Sequence, residues 1–159
     1  MTKLRLSDAE KCFIIDGVND DFRLDGRKCW DRREVSLDVG LLPTCAGSSQ
    51  LRCGKNHVLV GVKADLVEPQ ADQPGRGMIQ FFAHLSGPST DTDNVLTDEI
   101  ASIFESSYKN SRLLDKLTVE GGKNVWCLYV DILILEEESK ASLYDLCSFA
   151  VKAALTSTR

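Results

Sequence analysis

Three groups of side chains in this 159-residue chain are typed and spaced for chemistry. The densest is "DDFRLDGRKCWDRREV", Asp20 to Val35. Ten of its sixteen residues are charged, Asp20, Asp21, Asp25, Asp31 and Glu34 against Arg23, Arg27, Lys28, Arg32 and Arg33. Such a stretch suits a phosphate or RNA site, a catalytic acid/base cluster, or a structural clamp. A phosphate site keeps an unpaired cationic excess, and here the signs cancel. Balance favours a clamp in which Arg23 or Arg27 bridges to Asp25, Asp31 or Glu34, with Gly26 as the backbone pivot. Arg23, Asp25 and Arg27 are therefore the candidate structural residues.

The second group is basic. Cations are sparse outside the first loop, and Lys109, Arg112 and Arg76 are the best candidates for phosphate contacts to RNA. The alternative is that all three are solvated surface residues. The third group is acidic or imidazole-bearing. His57 and His84 fall on predicted strands, where a lone histidine is more often hydrogen-bonded structure than a general base. "DTD" (Asp91 to Asp93) could bind a cation through its carboxylates but reads more simply as a solvated loop and helix N-terminal charge, and "EEE" (Glu136 to Glu138) as a solvated turn. No phosphate-binding glycine loop, dinucleotide fingerprint, zinc-protease motif or serine-nucleophile elbow is present. No catalytic residue, metal ligand or cofactor follows from the residues themselves.

Composition narrows the classes further. Hydrophobic residues make up 43% and charged residues 27%, which suits a folded core. The net charge of −5 argues against nucleic-acid binding by the whole surface, though not against a local groove. The first residues lack the apolar region of a secretory signal, and no apolar run is long enough to span a membrane. The six cysteines form no CxxC pair and are expected to be reduced thiols, mostly packing residues.

Elements must position these groups. Ser7 with Glu10 makes a capping-box pattern, predicting a helix from Ser7 to about Ile15 that ends near Gly17. "EVSLDVGLL" alternates as a half-buried strand, and "SSQLRC" and "HVLVGVKADLV" follow it around the turn "GKN", giving a β-meander. "MIQFFAHLS" is a fourth strand. A helix over about Val95 to Lys109 carries Leu96, Ile100, Ile103 and Phe104 on one stripe. "VWCLYVDILIL" is a long strand. The last helix, "ASLYDLCSFAVKAAL", buries Leu143, Leu146, Cys147, Ala150 and Ala154. The order α-β-β-β-β-α-β-α predicts an α+β domain, with helices on one face of a mainly antiparallel or mixed sheet.

Three separated stretches carry a family resemblance. "FRLDGRKCWDRREVSLDVG", "AGSSQLRCGKNHVLVGVK" and "KLTVEGGKNVWCLYVDILILEEESKASLYDLCSFAVKAALTSTR" together resemble the RNase PH family over nearly the whole chain. The resemblance implies the first half of an RNase PH-like domain (ribosomal protein S5 domain 2-like), spanning 1–159. It also implies a ring of six such domains around a channel, with Arg23, Asp25 and Arg27 near the subunit interface, RNA-binding cap subunits on one face, and single-stranded RNA threaded 3′ end first. Active members of the family attack the terminal phosphodiester with inorganic phosphate. The acidic residues and phosphate loop that do so belong to the second half of the domain. The chain is therefore expected to be a non-catalytic subunit of the RNA exosome ring, in the nucleus (nucleolus) and cytoplasm, with other ring subunits and cap subunits as partners and no membrane association. An active phosphate-dependent exoribonuclease and an interaction module without an RNA role are the alternatives. Archaeal relatives place arginines at a helix end that contacts RNA; the matching "ESSYKNS" (Glu105 to Ser111) has Ser106 and Lys109 there. Lys109 keeps the charge without the guanidinium fork.

Overall fold

The computed structural model describes residues 6–69, 73, 75–87, 91–119, 124–137 and 140–159, with side chains at 91, 92, 140 and 141 outside that description. The chain divides into two compact units, Met1–Glu34 and Val35–Arg159.

The first unit holds helix α1, Asp8–Asn19. Its capping box forms as expected: the Glu10 N–H donates to Ser7 Oγ at 3.3 Å, and the Ser7 N–H donates to Glu10 Oε2 at 2.6 Å. Two orphan donors of the first turn are thereby satisfied. The helix runs past Gly17, contrary to the expected stop. The chain turns instead at Asp21, whose φ of 57° lies in the left-handed region, while the Phe22 N–H closes onto the Gly17 carbonyl at 2.7 Å. An aspartate tolerates that conformation better than most residues, so it can end a helix where glycine is usual.

The second unit is one five-stranded sheet: β1 Val35–Val39, β2 Gly47–Cys53, β3 Asn56–Val67, β4 Met78–Leu85 and β5 Val125–Glu136. The spatial order is β1-β2-β3-β5-β4. β1, β2, β3 and β5 pair antiparallel, and β4 pairs parallel with β5. The meander is thus confined to β1–β3, and the fourth strand stands apart from it until β5 comes between. Parallel strands cannot be joined by a tight turn, so helix α2 (Asp91–Tyr108) is needed as the crossover. Helix α3, Lys140–Ser157, follows β5. A 3₁₀ turn at Leu114–Lys116, unmarked in the sequence pattern, precedes β5.

One face of the sheet carries the core. Val58, Val60 and Val62 of β3, Val130, Ile132 and Ile134 of β5, and Phe81 of β4 lie under Leu96, Ile100 and Phe104 of α2 and Leu143, Cys147 and Ala150 of α3. Each large side chain so buried contributes about 1.5–3 kcal/mol. Phe81 stacks on Phe104 with centroids 5.5 Å apart and meets Tyr108 at 5.2 Å. The α+β class and the placement of α2 and α3 on one face agree with the sequence reading. Two stripe assignments do not. Ile103 is exposed, because α2 turns only the Leu96–Ile100–Phe104 line to the sheet. All of β1 is exposed, because it lies at the sheet edge beyond the cover of the helices. The cysteines divide: Cys53, Cys127 and Cys147 are buried packing residues, Cys29 and Cys45 are half-buried, and Cys12 is exposed. All six are free thiols. No helix among the described residues is long and apolar enough to cross a membrane.

Candidate functional site

The charged stretch of the first unit folds into a local clamp. Arg27 Nε donates to Asp25 Oδ2 at 2.8 Å and Nη2 pairs with the same oxygen at 2.7 Å, while Nη1 reaches the Asp31 carbonyl at 2.7 Å. The Asp31 carboxylate turns back to accept from the Lys28 N–H at 3.0 Å. Arg23 and Arg27 exchange a backbone bond of 2.9 Å across Gly26, whose φ of 81° requires glycine or strain. The Arg23 guanidinium donates to the Cys29 carbonyl, and the Cys29 N–H donates to Asp21 Oδ1 at 2.9 Å. The Arg27 hydrogen bond is the main cause holding the Asp25 carboxyl below the ordinary carboxylate range. Two arginine forks thus spend their donors on one carboxylate and two backbone carbonyls. Asp21 and Cys29, which the sequence reading left out, tie the two ends of the loop. Glu34 has no bridging bond to either arginine among those described. Beside the clamp lies an apolar cavity of about 850 Å³ within the same unit, lined by Phe13, Ile14, Val18, Phe22 and Leu24.

The basic candidates lie in the second unit. Arg76 is half-buried and already engaged: Nε faces Asp115 Oδ1 at 3.4 Å, Nη1 donates to Gln73 Oε1 at 3.3 Å, and Nη2 donates to the Ser111 carbonyl at 3.4 Å. It ties the start of β4 to the segment after α2. The Gly77 N–H donates to the Leu114 carbonyl at 3.0 Å along the same seam. A Cβ at Gly77 would fall 2.3 Å from Leu117 Cβ, so only glycine allows that approach. Lys109 follows the last residue of α2. It lines a cavity of about 490 Å³ with Gln80, Ser102, Glu105 and Ser106. Its charge also complements the helix C-terminal dipole. Arg112 is exposed. Met78, Ile79 and Leu114 also line that cavity, so Lys109 sits at a recess of mixed polarity, whereas Arg76 holds two segments together.

His57 lies on the sheet face opposite the helices. With the Gln50 amide oxygen turned toward its neighbours, that oxygen accepts from Arg52 Nε at 3.1 Å, Arg52 Nη2 at 3.0 Å and His57 Nε2 at 2.7 Å. Partial burial and the Arg52 charge hold the His57 pKa below its ordinary value. The ring is a neutral member of a hydrogen-bonded set, as expected of a strand histidine. His84 is exposed on β4, paired in register with Leu133. Asp91 opens α2, as the "DTD" reading required, whereas part of "EEE" lies outside the described residues. Among the described residues, no three His, Cys, Asp or Glu side chains are grouped to hold a metal ion.

Known proteins match this architecture. Residues 31–159 fit the family model described as the 3' exoribonuclease family, domain 1. The chain belongs to this family. Among its relatives, the exosome complex component Rrp42 of Methanothermobacter thermautotrophicus is 30% identical over 153 residues, covering 92% of this chain and 56% of its own length. The exosome complex component RRP45A of Arabidopsis thaliana is 32% identical, covering 98% of this chain and 51% of its own length. An archaeal exosome core structure superposes with a TM-score of 0.72 at 30% identity, covering 95% of this chain and 59% of the matched chain. An Archaeoglobus fulgidus exosome with RNA bound to the active site gives 0.69 at 30% identity, covering 95% and 61%. The chain thus spans somewhat more than half the length of these family members. The resemblance drawn from the three motifs is borne out.

Proposed function

We propose that this chain is a non-catalytic subunit of an RNA exosome ring, supporting 3′-to-5′ RNA processing and degradation by building the ring and lining its RNA path. The observation that carries this reading is similarity along more than nine-tenths of the chain to proteins named as exosome components and to an exosome core. Other RNase PH-type ring subunits, RNA-binding cap subunits and single-stranded RNA are its partners, in the nucleus (nucleolus) and cytoplasm. The non-catalytic part rests on the resemblance to family members that build the ring and line the RNA path. Lys109, at its recess, and the exposed Arg112 are the RNA-facing cations. Arg76, the third candidate cation, lies between Gln73 and Gly77 of the recess lining and is held by Asp115 and the Ser111 carbonyl.

Affinity purification of the tagged chain from cells tests the assembly. Co-recovery of RNase PH-type and cap subunits is expected, and recovery of neither refutes the reading. Purified chain supplied with single-stranded RNA and inorganic phosphate should release no nucleoside diphosphate; clear release refutes the non-catalytic assignment. In the assembled complex, Lys109→Ala with Arg112→Ala should reduce RNA crosslinking to this subunit and flatten its salt dependence.

A further inference from the structure

The sheet ends at β1, a five-residue edge strand whose single charge is Asp38. Free edges are normally blunted by lysine, proline or a bulge, and "VSLDV" contains neither residue. The Gly40 N–H donates to the Ser48 carbonyl at 2.9 Å, and the β1–β2 register continues that pairing to Asp38↔Gln50 and Ser36↔Arg52. In an antiparallel ladder, mutually bonded pairs alternate with non-bonded ones. Ser36, Asp38 and Gly40 therefore spend their backbone groups on β2, and Val35, Leu37 and Val39 aim theirs outward. Among the described residues, no backbone hydrogen bond outside the sheet takes up these outward groups. The side chains of the same three residues lie on the helix-covered face, opposite Cys53, Leu51 and Ser49, yet they are 45%, 37% and 55% exposed. Val39 and the half-exposed Phe149 of α3 line a shallow, mainly apolar cavity of about 380 Å³ beside them.

We infer that β1 pairs antiparallel with β1 of a second copy of this chain, about a two-fold axis through Leu37. The strand is nearly palindromic in chemistry. Reversed on itself, it sets Val35 against Val39, Leu37 against Leu37, and Ser36 against Asp38. Apolar side chains meet apolar side chains on the helix face. On the other face a hydroxyl donor meets a carboxylate acceptor, and no two like charges stand directly opposite. The backbone phase fits as well: the outward groups belong to Val35, Leu37 and Val39, the residues this register makes mutually bonded. The two sheets become one, and the apolar row continues across the axis with an α3 on either side. An unrelated strand meets the backbone requirement but has no reason to match the side chains on both faces. This pairing is independent of the ring assignment, because it uses only the edge strand and α3.

Disulfide trapping tests the register. Ser36 and Asp38 of opposite copies form non-bonded pairs, with Cα atoms about 4.5 Å apart, inside the disulfide range. Under mild oxidation, a mixture of Ser36→Cys and Asp38→Cys chains should yield a dimer whose cross-linked peptide joins positions 36 and 38, identified by mass spectrometry among the native cysteines. Sedimentation of the unmodified chain should show a concentration-dependent dimer that Leu37→Lys weakens by about tenfold or more, since it opposes two like charges at the axis. Circular dichroism checks that this variant folds; if it does not, the trapping experiment decides alone. A monomer at every concentration, a cross-link in another register, or trapping only onto a different RNase PH-type chain overturns the inference.

Discussion

Replacing Gly47 by alanine should loosen the contact between β2 and α3 by an amount the structure sets. A Cβ there would lie 2.4 Å from Thr158 Oγ1, 2.5 Å from the Ala154 carbonyl oxygen and 2.9 Å from Thr158 Cα. The threonine hydroxyl can rotate away. The Ala154 carbonyl cannot, because it belongs to the helix backbone and accepts from Ser157 Oγ at 2.8 Å and Thr158 Oγ1 at 3.0 Å. Ser157 Oγ also bonds Ser48 on both its backbone N–H and carbonyl at 3.2 Å, and the fully buried Ser49 Oγ donates to the Ala150 carbonyl at 2.7 Å. Retreat of the helix end would strain all of these. Overpacking of this kind costs about 1–3 kcal/mol. For a domain of this size that lowers Tm by about 2–12 °C. The assay is urea and thermal unfolding of Gly47→Ala beside Gly61→Ala. At Gly61 the added Cβ meets only side chains, Cys45 Sγ at 3.2 Å and Leu42 Cδ1 at 3.5 Å, which can yield. Gly47→Ala within about 0.5 kcal/mol of the parent, or Gly61→Ala the costlier of the two, would refute the reasoning.

Other outcomes follow from the core, the clamp and the thiols. Ile132→Ala, at a fully buried site in β5, should cost about 2–5 kcal/mol in denaturant unfolding. Arg27→Ala should speed amide exchange at Lys28 and Cys29 while leaving the exchange of β3 and β5 unchanged. The Asp25 carboxyl titrates below its ordinary 3.8 in the folded clamp, so its stabilising effect is present above that value and is lost as pH falls through the depressed one. Amide exchange of the loop, corrected for its intrinsic pH dependence, should therefore accelerate only in strong acid, and Asp25→Asn should abolish that step. Burial pushes the Cys147 thiol up to about 12, so maleimide should modify the exposed Cys12 in the native protein and Cys147 only on unfolding.

The fold was legible where a local pattern has a single structural solution. The capping box fixed the start of α1, and the apolar Val58, Val60 and Val62 marked β3. The Leu143–Leu146–Cys147–Ala150–Ala154 line fixed the buried face of α3. What local pattern does not carry is neighbourhood. β1 alternates like a half-buried strand, and only its place at the sheet edge leaves Val35, Leu37 and Val39 uncovered. Ile103 fits the helical stripe of α2, yet lies past the line that meets the sheet. The clamp was legible in part: charge balance pointed to Arg27 with Asp25, but Asp21 and the Cys29 amide meet across a turn whose path no spacing rule predicts. Arg76 shows the converse. Its position in a Pro/Gly loop suggested an exposed cation, whereas Asp115 and Ser111, far along the chain, hold its donors.

The position of β5 bears on how the chain is made. It is the last of the five described strands to leave the ribosome, yet it lies in the interior of the sheet, with β3 on one side and β4 on the other. Before it emerges, the β1–β2–β3 hairpins and the β4–α2 segment have no ladder to join them. β3 then offers Val58, Val60 and Val62 to solvent beside an open edge, the kind of surface that aggregates or recruits a holding chaperone. Closure waits for one late insertion that pairs two strands at once, one of them across a long stretch of sequence. Synthesis of this protein thus passes through a stage when its most apolar ladder is half built, and the vulnerable species is the nascent chain paused short of Val125.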